Sequence, residues 1–144
     1  MTADYTLETH LMKLGELTSR LKRYRDEVSR EQFMSDDTVQ AAILRHLHLA
    51  AEAAMTIGEM LIADYDFAKP LRPKELFDAL AKGGVLAPHF GDQLGGIVNF
   101  RNILVRDYLK IDLEKVYAVL QNDLEELQTY RETIARYVTD HPVE

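Results

Sequence analysis

Apolar residues recur along most of this chain at helical spacing. Leu7, Leu11, Leu14, Leu21, Tyr24 and Val28 fall three, four or seven positions apart, so one stripe of a long first helix faces a partner. Ser35, Asp36 and Asp37 supply capping side chains ahead of a second run from Val39 through Ile43, Leu44, Leu47, Ala51, Ala54, Met55 and Ile57 to Leu61. Its alanines suit close helix packing. Pro70 and Pro73 interrupt the chain, and Pro73 is placed to start a short helix, Lys74 to Ala81, that Gly83 and Gly84 end. A further helix is expected from about Pro88 to Arg106. Asp112 can cap a last long helix whose stripe runs through Leu113, Val116, Tyr117, Leu120, Leu124, Leu127, Ile134 and Tyr137. Strand periodicity, internal repeats and low-complexity segments are absent, so the pattern predicts an all-α, antiparallel bundle of four long helices plus a short one.

Composition narrows the chemistry. With 144 residues, 47% of them hydrophobic, the chain has the material for one core, and a single domain over 1–144 is expected. No run approaches roughly 18 uninterrupted apolar residues and no secretory signal is legible, which predicts a cytoplasmic protein without a membrane span. Cysteine is absent, which removes disulfides, thiol catalysis and thiolate metal sites. The net charge of −7 argues against a broad basic face that grips duplex nucleic acid, though not against a small basic site. Arg20, Lys22, Arg23 and Arg25 form a cationic run, read as a solvated helix face rather than an RNA contact. His46 and His48, two apart, fall on different helix faces and do not make a metal pair; no metal site is expected.

The helix ending at Arg106 departs from a plain bundle. At about 100° per residue, Leu94, Ile97, Val98, Leu104, Val105 and Tyr108 lie within roughly 60° of Arg101, if the helix reaches Tyr108. A cation thus sits inside an apolar stripe, where it must either pair with a carboxylate or reach from a cleft or subunit seam toward an anion. The opposite side carries Gly95, Asn99, Asn102 and Arg106. Such a strip fits a helix meeting its symmetry mate in a homodimer, with Gly95, Asn99 and Asn102 at the seam, or else an ordinary wet surface.

The same residues carry a family resemblance. Arg101-Asn102-Ile103-Leu104-Val105-Arg106-Asp107-Tyr108 resembles the HEPN signature of Arg, four residues, His, one residue and Tyr, with Phe100 before the Arg and Asn102 after it as in HepT-like members. Length, helix order, the alanine-rich second helix and the segment Gly83-Gly84-Val85-Leu86 are similar to that family too. The resemblance implies the toxin of a toxin–antitoxin pair: a metal-independent endoribonuclease needing no cofactor for cleavage. It assigns Arg101 and the residue at 106 as catalytic, with Asn102 in support. It also implies a partner, a minimal nucleotidyltransferase antitoxin (MNT), which uses ATP and Mg²⁺ to transfer AMP to the motif tyrosine, here Tyr108. One position departs from the pattern, because Arg106 stands where the family has its catalytic His. A guanidinium stays protonated and cannot act as a base, so cleavage by this chain is expected to be impaired while phosphate binding is kept. The alternative implied by Arg106 is a non-catalytic, helical substrate-binding partner of a nucleotidyltransferase.

Overall fold

The structure is a computed structural model that describes residues 3–106 and 110–143, apart from the side chains of residues 3–5, 105 and 106. Among the described residues there are seven α-helices and no strand: α1 (Ala3–Glu27), α2 (Arg30–Ser35), α3 (Asp37–Asp64), α4 (Leu76–Lys82), α5 (Pro88–Arg106), α6 (Leu113–Asn122) and α7 (Leu124–Asp140), with a 3₁₀ turn at Pro73–Glu75. The expected all-α bundle is what the chain forms. α1 packs along α3 and α7, while α4 and α5 lie together against α3. Among these helices none is long and apolar enough to cross a membrane.

The stripes read from the sequence become the core. Leu7, Leu11, Leu14 and Leu21 of α1 are buried, joined by Leu17, and they meet Ile43, Leu47, Ala50, Ala54, Ile57 and Leu61 of α3. Small alanine side chains bring the α3 backbone close to its neighbours, which gives α3 the central place. Asp36 caps α3, its carboxylate accepting from the backbone N–H groups of Thr38 and Val39 at 3.1 Å each. Asp112 caps α6 in the same way, toward Glu114 and Lys115. At the end of α4, Gly84 adopts φ +86°, a left-handed conformation that a side chain would strain, and the Val85 N–H reaches back to the Leu80 carbonyl. Gly91 lets α5 approach α4, since a Cβ there would lie 3.0 Å from the Phe77 carbonyl oxygen.

Two expectations need correction. The last helix is not continuous but breaks at Asp123, whose N–H still bonds the Val119 carbonyl. Asn122 and Asp123 are weak helix formers whose side chains compete for backbone groups, and the apolar stripe survives the break through Val116, Leu120, Leu124, Leu127, Tyr130 and Ile134. The segment after α1 also forms an unexpected short helix, α2, which Ser29 caps and which buries Phe33.

Candidate functional site

The site lies where α5 crosses α3. Helical spacing places His48 and Glu52 one turn apart on α3, and Arg101 of α5 reaches across to them. Arg101 Nη1 donates to Glu52 Oε1 at 3.2 Å, and His48 Nε2 lies 3.6 Å from the same oxygen. The side chains are 23% (Arg101), 43% (Glu52) and 30% (His48) exposed, so the cluster lies at the partly solvent-open surface rather than in the core. Arg101 Nε is buried and has no hydrogen-bond partner among the described residues. The cation in the apolar stripe therefore has a carboxylate partner, with an unused donor left over. Leu94, Val98 and Leu104 around it are buried, while Ile97 is partly so.

The strip expected at a dimer seam is divided. Asn99 is exposed, and Asn102 and Gly95 are half-buried. Among the described residues, a Cβ at Gly95 would meet only the Lys74 carbonyl oxygen, at 4.0 Å, and one at Gly96 would meet nothing within 4 Å. Packing within the chain therefore does not demand glycine at either position. Ile103 beside them leaves 38% of its surface exposed. Backbone at Arg106 is helical, but its side chain and the whole of Tyr108 lie outside the described residues. The 101–106 relation is thus fixed only through the helix, about 140° around the axis.

A cavity on the neighbouring face of α5 is lined by Gly96, Ile97 and Phe100 with Ala51, Asp123 and Glu126. Burial pushes the Asp123 carboxyl up, and burial together with the Asp123 charge pushes Glu126 up. Among the described residues, no group of three or more His, Cys, Asp or Glu side chains is arranged to hold a metal ion. In the cationic run on α1, Arg25 is ion-paired with Glu125 at 2.9 Å, while Lys22 donates to the neutral Gln128 side chain at 3.2 Å and keeps its charge. His46 and His48 do point to different surroundings, His46 to the Ala42 carbonyl and the Tyr24 ring. What the sequence reading missed was the pairing of His48 with Glu52, four residues on and one turn away.

Residues 14–134 match the model of a family described as ribonuclease HepT-like. Curated relatives include the mRNA nuclease HepT of Shewanella oneidensis, 28% identical over 72% of this chain and 77% of its own, and the tRNA nuclease HepT of Aphanizomenon flos-aquae, 26% identical over 92% and 89%. Among solved structures, the tri-AMPylated Shewanella oneidensis HEPN toxin in complex with MNT antitoxin superposes with a TM-score of 0.81 at 24% identity, covering 90% of this chain and 96% of that one. The cytosolic Bacillus subtilis protein YutE, of unknown function, superposes with a TM-score of 0.79 at 20% identity, over 95% and 94%. The fold is that of HEPN toxins, and the chain belongs to the HepT-like ribonuclease family.

Proposed function

We propose that this protein is the toxin of a HEPN/MNT toxin–antitoxin pair, built as a metal-independent endoribonuclease, and that Arg106 weakens its cleavage step. The observation that carries this reading is the partly exposed Arg101 guanidinium, paired from α5 to Glu52 of α3 and placed at the first position of the motif. In such a reaction the 2′-hydroxyl of RNA attacks the adjacent phosphate, giving a 2′,3′-cyclic phosphate and a 5′-hydroxyl. Charge accumulates on the phosphoryl oxygens, and a guanidinium is suited to hold them, with Asn102 in support on the same turn. Proton transfer needs a group that exchanges protons near neutrality, which His supplies and Arg does not. The reading places the protein in the cytoplasm and needs no metal for cleavage.

Assembly belongs to the same proposal. Two motif helices meeting across a two-fold axis through Gly95, Asn99 and Asn102 would join two Arg101 surfaces into one RNA site. Light scattering at micromolar concentration should give the mass of two chains, and a monomer would overturn the shared site. The partner is an MNT-type nucleotidyltransferase that consumes ATP and Mg²⁺, and Tyr108 is the AMP acceptor. Added phosphates beside Arg101 would fill the site with negative charge and bulk. Incubating the Arg106→His variant with that partner, ATP and Mg²⁺ should add AMP mass to Tyr108. Label found on Tyr117 or Tyr130 instead would reassign the acceptor.

Arg106 itself favours a second reading, in which the chain binds substrate for a nucleotidyltransferase and never cuts. Cleavage of labelled RNA in excess EDTA separates the two. Recovery of cleavage in the Arg106→His variant supports the toxin, and silence in both forms supports the binding subunit.

A further inference from the structure

Two nitrogens from two helices converge on one oxygen. Glu52 Oε1 takes a hydrogen bond from Arg101 Nη1 at 3.2 Å and faces His48 Nε2 at 3.6 Å, so guanidinium and imidazole stand no farther apart than those two distances together. An anionic oxygen is therefore already seated between them. Its owner is a long side chain, 43% exposed, that can rotate out to water, and it satisfies only part of the guanidinium because Arg101 Nε is buried without a partner among the described residues. A phosphate has the same charge sign and more oxygens to offer than one carboxylate edge engages here.

Resting on the ribonuclease reading above, we propose that Glu52 marks a phosphate seat, and that RNA displaces it so that the scissile phosphate lies between Arg101 and His48, with His48 as the proton acceptor that Arg106 cannot be. The 2′-oxygen bonds to phosphorus as the bond from phosphorus to the 5′-oxygen breaks. His48 Nε2 takes the 2′-proton, a water gives a proton to the leaving 5′-oxygen, and the imidazolium returns its proton to the hydroxide that remains. Arg101 holds the phosphoryl oxygens throughout. Cleavage by this chain is then slow rather than absent, carried by a histidine on α3 instead of one on α5.

The test is single-turnover cleavage of labelled RNA in excess EDTA, beside binding of the same RNA with 2′-O-methyl groups, which cannot react. His48→Ala should lower the rate about a hundredfold while changing binding of the methylated RNA by no more than about twofold, as expected for loss of a proton acceptor. Added imidazole should restore the rate; a loss that imidazole does not relieve would assign His48 to structure and overturn the proposal. Glu52→Gln should tighten binding of the methylated RNA about two- to fivefold, because a neutral amide no longer competes with phosphate for an ion pair of ordinary surface strength. Unchanged or weaker binding would overturn the seat. No cleavage by the unsubstituted chain would also overturn the role of His48. In that case an active Arg106→His variant leaves the ribonuclease reading standing, and an inactive one removes both.

Discussion

Arg101→Ala, made in a chain that also carries Arg106→His, is expected to lower RNA cleavage by about two to three orders of magnitude, the usual loss for one charge-stabilising contact in a transition state. The background matters, because an impaired enzyme offers little activity to lose. Arg101 touches Glu52 at 3.2 Å and is only 23% exposed, so its removal also leaves the Glu52 carboxylate facing His48 alone. Ground-state RNA binding should fall less than the rate, since phosphates elsewhere on the strand keep their contacts while charge on the reacting phosphate grows only as the phosphorane forms. The measurement compares single-turnover rates in EDTA of the unsubstituted chain, the Arg106→His variant and the double variant. Equal rates in the first two would remove proton transfer from position 106. Loss of activity to EDTA would replace the scheme with a metal mechanism.

Much of this was legible in the sequence because helices advertise themselves through period and punctuation. The stripe Leu7, Leu11, Leu14 and Leu21, the cap at Asp36, the stop at Gly83-Gly84 and the start near Pro88 are all local signals, and all appear in the fold. The break at Asp123 was hidden because the stripe runs on across it: Leu120 and Leu124 are both buried, so the period alone reports one helix. Arg101 stood out as a charge within an apolar stripe. Glu52 did not, because a lone carboxylate on a half-exposed helix face looks like any solvated residue until α5 is laid across it. His48 was weighed only against His46, two positions away on another face. The i,i+4 relation of His48 to Glu52 was the available signal, and the crossing of α3 with α5, a long-range fact, gives that pair its setting.

The second large effect concerns how α3 is held. Tyr130→Ala should destabilise the fold by about 3–5 kcal/mol, the range for truncating a buried aromatic, against a typical total of roughly 5–15 kcal/mol for a domain. Tyr130 is fully buried, packs edge-on against Phe77 with ring centres 5.4 Å apart, and donates its hydroxyl to the Ala54 carbonyl at 2.8 Å. Ala54 lies two residues beyond Glu52, so the same side chain that fills the core fixes the stretch of α3 that presents the site. Gly58 belongs to this contact, since a Cβ there would come within 3.2 Å of the Tyr130 hydroxyl. Tyr130→Phe keeps the ring and loses only the hydrogen bond, which predicts a cost of about 1 kcal/mol. Alkaline titration adds an independent check. Burial raises the Tyr130 phenol above its ordinary value, so the folded chain keeps a proton that the unfolded chain releases near pH 10, about the reference value for tyrosine. Stability from this group is full below that pH and declines as pH rises beyond it, and Tyr130→Phe should flatten the decline. Urea denaturation of the three proteins at neutral pH, and of the parent and Tyr130→Phe up to about pH 11, measures both effects. A loss below about 1 kcal/mol for Tyr130→Ala would mean that α3 is anchored elsewhere.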